Sequence, residues 1–367
     1  MPRRSPFLRH AAPTLLCILF LSLLLTRSEA AMDGVRQGMS LCVQTLFPSL
    51  FPFLVLSELL VCIGGGEIIG KLLGKPVKGL FGLSDAGASA LLMGSVCGFP
   101  VGTTTAVSLY DNGRISHGEL CRLVLFCNNP SSGFLISAVG GALVGNTGVG
   151  VALFVITLLS AALVGIFLRI LCGSVSKKSN FAENGVRKPI CVSQLTESVR
   201  RAFFALLSVC AFVLFFSCAA HCLSQILTGF ALPPAVEGAL CGMLEMTSGI
   251  SRAVRTLPPS IAFRLVAFFS AFAGLCVCLQ IFSVLEGKGV PLAPYLLAKL
   301  MQGGLALLLA EIYLCLWRPS LSPTSSVQTF ALRNTPGTLL LMLVLFAVLW
   351  VLERRLIKRK RPPLGRS

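Results

Sequence analysis

The chain has 367 residues, of which 55% are hydrophobic and only 12% are Asp, Glu, Lys or Arg, with a net charge of +17 and a mean hydropathy of +0.85. A soluble domain carries about 25% charged residues, so this chain lacks the polar shell a water-soluble core needs, and it reads as a polytopic all-α membrane protein. The charge excess excludes little else: seven of the last fourteen residues are Lys or Arg, they follow an apolar span directly, and no nucleic-acid-binding module accompanies them. Anionic lipid at the cytoplasmic face is their expected partner, not nucleic acid.

In chain order, spans of about 20 apolar residues are predicted at Ala11–Thr26, Leu41–Ile63, Glu119–Val144, Gly148–Cys172, Ala202–Phe230, Ile261–Leu285, Pro291–Trp317 and Gly337–Leu352. That makes about eight. The first is read as a retained helix, although Arg3, Arg4 and Arg9 before it and Ser28-Glu29-Ala30-Ala31 after it also suit a cleaved signal peptide. Two further apolar stretches are poor helices. Ala86–Gly102 contains Gly94, Gly98, Pro100 and Gly102, and Glu237–Ile250 contains Gly238, Gly242, Glu245, Thr247 and Gly249. Interior Gly and Pro weaken helices, so both are expected to be re-entrant or broken.

With eight spans, the four stretches richest in Lys and Arg all fall on the cytoplasmic side: the N-terminus, the loop around Lys71, Lys75 and Lys78, the loop 173–201, and the tail. Both termini are then cytoplasmic, and the two broken segments enter from opposite sides. The organisation that results is an N-terminal helix or signal-like segment (1–35), a first repeat (36–175), a basic linker (176–201), an inverted second repeat (202–317) and a last helix with a basic tail (318–367). Interrupted apolar segments in matching halves are the best pointer in a sequence to a transporter site.

The candidate site residues come from those interruptions. Gly98, Pro100 and Gly102 free backbone groups that protein or a water-lined cavity must satisfy; packing through Gly98 and Gly102 as a small-xxx-small pair is the plainer reading. Asn128 and Asn129, followed by Pro130, place two amides in the middle of the third span, facing solute or forming a kink held by neighbours. Glu245, with Thr247, sets a carboxylate among apolar residues, where an ionisable group is functional by default; it suits a proton, Na+ or a solute hydrogen bond. Gln280 is a similar intruder, and Glu311 is expected at a seam between helices.

Other patterns fail. Gly65-xxxx-Gly70-Lys71 resembles a phosphate loop, but Leu72 replaces the Ser/Thr that holds Mg2+. The 15 cysteines lie mostly in apolar runs, without a CxxC pair. Cys218, His221 and Cys222 share a helix face but lack a fourth metal ligand. With three histidines and no nucleophile–base motif, no enzyme, metal or cofactor is expected.

The segments Leu46–Phe53 (LFPSLFPF), Gly98-Phe99-Pro100-Val101-Gly102, Gly118–Leu123, Asn128-Asn129-Pro130, Gly133–Ile136, Glu245–Gly249 and Gly274-Leu275 with Gln280 together resemble the YlbJ-type sporulation integral membrane protein family of endospore formers, within the nucleoside-transporter-like Gate group. The resemblance runs from about Leu46 to Leu300. It implies a transporter-like fold of inverted repeats, a multi-pass place in the mother-cell-derived forespore membrane, and carriage of dipicolinate. The chain departs from the family pattern after Gly102, where Thr103-Thr104 stand in place of a small residue and Lys, one cation fewer for holding a dianion. The partners so implied are membrane lipid and a small solute, with a coupling proton or Na+ and self-association open. A nucleoside transporter and a non-transporting sporulation scaffold are the alternatives.

Overall fold

A computed structural model describes residues 6–62, 74–173, 192–230 and 232–316. The span expected at 337–352, the basic tail and most of the linker lie outside the described residues. The described chain is helical and multi-pass in character, with no strand among the described residues. Four helical stretches, Thr147–Cys172, Val192–Thr228, Pro259–Val284 and Leu292–Leu316, are long and apolar enough to cross a membrane, or five if a pair bent by 91° counts as one span. Of the other predicted spans, 337–352 lies outside the described residues, Glu119–Val144 is broken, and no described helix at the first two passes that test.

The first half begins with α1 (Pro6–Thr26) and α2 (Ser28–Leu41), which runs through a π-helical turn (Cys42–Leu46) into α3 (Phe47–Cys62). Then come α4 (Gly74–Phe81), α5 (Asp85–Val96), α6 (Val101–Asp111) and α7 (His117–Val124). Ser84 and Ser116 start α5 and α7 by accepting hydrogen bonds from Gly87 N and Glu119 N. A non-helical stretch leads to a π-helix (Gly133–Leu143), and α8 (Thr147–Cys172) closes the half.

The second half repeats the order. A long helix, α9 (Val192–Thr228), precedes a helical hairpin, α10 (Pro234–Leu244) and α11 (Met246–Thr256). A broken helix follows, α12 (Pro259–Phe272) and α13 (Gly274–Val284), and then a straight one, α14 (Leu292–Leu316). In both halves, then, a hairpin is followed by a broken helix and a straight helix.

Two of the predicted spans are therefore broken, one where an interruption was expected and one where it was not. Glu119–Val144 loses its helix between Val124 and Gly133, around the Asn-Asn-Pro expected to interrupt it. Ile261–Leu285 breaks at Ala273, whose backbone is left-handed (φ 72°), next to Gly274 (φ 73°). The cause is tertiary. A Cβ on Gly274 would lie 3.1 Å from Met246 N and 3.2 Å from Gly242 O, so the tip of the second hairpin presses on the break itself.

Packing divides most of the apolar interior into two large clusters stacked along the helices, with a small third one at Ala31, Cys218 and Cys222. One large cluster holds Met93, Val101, Phe134, Leu153, Ile156, Phe269 and Ala306; the other holds Ala90, Ala106, Cys127, Val164, Ala273, Tyr295 and Ala298. Four elements pass from one cluster to the other: α5 leaves the second for the first, α6 returns, α8 goes from the first to the second, and α14 from the second to the first. The residues at the crossing are polar and buried: Thr103, Asn128, Asn129, Ser131, Thr157, Ser160, Lys299 and Gln302. A polar layer thus lies between two apolar ones. The α5–α6 hairpin enters from the side of the second cluster, whereas α10–α11 packs with the first, so the two hairpins reach the layer from opposite sides.

Candidate functional site

The first hairpin turns at Cys97–Pro100, with Gly98 left-handed (φ 84°) and a cis bond at Phe99–Pro100. A Cβ on Gly98 would lie 2.5 Å from Ser131 N, so only glycine lets the tip touch the non-helical stretch. Phe99 N donates to Asn129 O at 2.9 Å, fixing the tip to the break. Gly98 and Gly102 do not share a helix face; Gly102 instead meets Gly94 across the hairpin, where a Cβ would lie 2.7 Å from the Gly94 Cα. Close approach of α5 and α6 is what these two glycines permit.

Asn128 and Asn129, each 1% exposed, anchor the layer. Thr103 Oγ1 donates to Asn128 Oδ1 at 2.5 Å, and Asn128 Nδ2 donates to Val124 O. Asn129 Nδ2 donates to Phe126 O, and Asn129 Oδ1 accepts from Gln302 Nε2 at 2.8 Å. Gln302 Oε1 accepts from Lys299 Nζ at 2.8 Å, and Lys299 also donates to Asn128 O at 2.7 Å. Of the carbonyls at the lost helix, Asn128 O is capped from α14 by Lys299, and Val124 O and Phe126 O by the amides of the two asparagines, as a break away from water demands.

Lys299 and Gln302 were not among the expected site residues. Their signal was present: an ionisable group in mid-span with an amide three residues on, on one helix face.

At the second hairpin, Glu245 is 1% exposed but does not face solvent or a cavity. It is the N-cap of α11, accepting from Thr247 N (2.9 Å), Thr247 Oγ1 (2.5 Å) and Ser248 N (2.6 Å). A carboxylate suits the positive end of a helix, so its burial has a local cause. Thr247 and Ser248 turn outward and line a cavity of about 300 Å3 between α2, the π-helix, α9 and α11, together with Gln37, Gln44 and Arg255. A second cavity of about 180 Å3 adjoins it and shares Gln37, Ser248, Ser251 and Arg255. Arg252 beside it is tied to Glu237 and Ser224. Gln280, on α13, is buried with its Nε2 unpartnered, and no contact brings it to either asparagine.

The structure thus gathers Gly98, Pro100, Gly102, Asn128 and Asn129 into one network with Lys299. Thr247 lies at a polar cleft at the other hairpin, with Glu245 behind it. Each hairpin tip docks on the break of the helix that follows it.

No protein-family model matches the chain, and no solved structure matches it. The chain is 28% identical over 336 residues to the sporulation integral membrane protein YlbJ of Bacillus subtilis (strain 168), an alignment covering 80% of this chain and 79% of the relative. The short motifs noted above thus sit within similarity along most of the sequence, and the chain is a multi-pass membrane protein related to the YlbJ-type sporulation integral membrane proteins.

Proposed function

We propose that the protein carries a small polar or anionic organic solute across the membrane, with dipicolinate during endospore formation as its leading substrate. The carrying observation is the polar layer, crossed by two broken helices and met by a hairpin tip from either side. Irregular backbone at membrane depth persists only where protein buries it or a cavity hydrates it, and paired interruptions of this kind are how secondary transporters build a central site. Release of one tip at a time would open the layer to one side and then the other. The cleft beside Thr247 offers the solute a polar approach, with Arg255 on its wall.

A scaffold without transport has no use for such a layer. Apolar side chains of equal size would fill the same space without the cost of burying a lysine among neutral dipoles. The sporulation setting comes from the name of the relative, and dipicolinate from the family the motifs resemble.

Uptake of labelled dipicolinate and labelled uridine into proteoliposomes holding the purified protein tests the reading. Accumulation of dipicolinate above protein-free liposomes, under an inward proton or Na+ gradient, is expected. Uptake of both solutes at the protein-free level under either gradient would refute it.

A further inference from the structure

Lys299, the eighth residue of the 25-residue α14, is completely buried, and its partners are all neutral. Two of its three N–H bonds go to Asn128 O and Gln302 Oε1. Its other electrostatic neighbours are the Cys127 and Cys278 thiols. Among the described residues no carboxylate pairs with it. Arg252 takes Glu237, Arg264 takes Glu311, and Lys288 takes Asp111, while Glu245 is spent on the first turn of α11.

One turn earlier on the same face stands Tyr295, also fully buried and sharing the Cys127 and Cys278 thiols as neighbours. Its ring packs edge-on against Phe282, and its hydroxyl has no hydrogen-bond partner beyond the Cys278 thiol beside it.

A buried ammonium among dipoles alone is expensive, and a buried hydroxyl beside only a thiol adds to the cost. Both groups offer hydrogens: the third N–H of Lys299 and the O–H of Tyr295, whose thiol neighbour is a weak acceptor. The complementary ligand has negative charge and acceptors only, which describes a carboxylate and not a neutral nucleoside with donors of its own. Charge-assisted hydrogen bonds of this type are also the strong ones.

Resting on the transport reading, we infer that Lys299 is the anion anchor of the carrier. A carboxylate of the solute takes the third N–H of Lys299, with the Tyr295 hydroxyl donating to the same group, and the solute class is therefore small organic anions. In the closed arrangement the tip of the first hairpin, held by Phe99 N on Asn129 O, covers the stretch that Lys299 caps. The anion reaches the lysine when that tip lifts.

Equilibrium binding to the purified full-length protein tests this, with labelled dipicolinate as probe and its neutral diamide, of the same shape, as comparison. The wild type is expected to bind the diamide roughly 10- to 150-fold more weakly than the dianion, the worth of one charged hydrogen bond. Lys299→Gln should lose dianion affinity by the same factor and leave the diamide nearly unchanged. Gln302→Glu keeps the lysine but sets a resident carboxylate where an oxygen already lies 2.8 Å from the ammonium, and it should lose the dianion too.

Equal affinity of the wild type for dianion and diamide would overturn the inference, and that arm needs no variant to fold. So would full dianion binding by both variants, which would leave Lys299 as a tether for Asn128 only. Lysine-dependent binding without uptake in proteoliposomes would uphold the anion site and defeat the transport reading. Uptake that persists undiminished in Lys299→Gln would do the reverse.

Discussion

Replacing Asn129 by Leu separates two accounts of the break. If the amide faces a hydrated cavity, the substitution costs transport and little stability. The structure predicts otherwise, because the side chain is 1% exposed and both ends are bonded to protein. Leu removes the bond from Nδ2 to Phe126 O (3.1 Å) and the bond from Gln302 Nε2 to Oδ1 (2.8 Å). The Phe126 carbonyl is then left dry, and Gln302 Nε2 keeps only a long contact of 3.4 Å to Thr157 O. Each stranded buried group costs about 1–3 kcal/mol, so the loss totals about 2–6 kcal/mol. The backbone bond from Phe99 N to Asn129 O survives, which keeps the estimate from running higher. In a thermal unfolding series, followed as loss of the monodisperse peak in size-exclusion chromatography, the midpoint should fall by about 5 °C or more. A variant that melts with the wild type would refute the network and put Asn129 in contact with water.

Three other substitutions probe separate parts of the fold. Gly98→Ala should destabilise the first hairpin by about 2–4 kcal/mol, combining a left-handed alanine with a clash at Ser131 N; mass mapping should show faster alkylation of the buried Cys97, and an unchanged rate would sink the docking argument. Glu245→Ala should weaken the start of α11 by about 1–2 kcal/mol and Glu245→Gln by less, since Gln keeps one acceptor; hydrogen exchange at Thr247 and Ser248 reads this, and equal protection in both variants would deny the cap. Arg264 and Glu311 form a half-exposed pair, so a double-mutant cycle should give no more coupling than an ordinary surface ion pair; a markedly larger coupling would mean the pair is sealed from water.

The interruptions were legible because Gly, Pro and paired Asn are poor helix residues wherever they stand. The break at Ala273 was not, since nothing in Phe272-Ala273-Gly274 opposes a helix strongly. It is imposed by the second hairpin, whose backbone at Gly242, Leu244 and Met246 crowds Gly274. Glu245 is buried among apolar residues as expected, and its partners are Thr247 and the amides of the next turn. Glu311, expected at a helix seam, pairs with Arg264 between α14 and α12. Lys299 escaped notice because the apolar average of its span absorbs a single charge. Only the fold shows that it reaches the carbonyl of Asn128, 171 residues earlier in the chain. The two described halves share an order of hairpin, broken helix and straight helix, although no residue identity links them.

The central claim is that solute passes through the polar layer when the first hairpin lifts from its break, and a reversible cross-link tests it most directly. Ser132 Oγ lies 3.4 Å from the carbonyl of Val96, at the edge of the docked tip where reagents reach. In the variant carrying Val96→Cys and Ser132→Cys, a short bis-thiosulfonate should join the two positions and stop dipicolinate uptake into proteoliposomes, with reduction restoring it. Undiminished uptake by protein shown by mass mapping to be fully cross-linked would contradict the account.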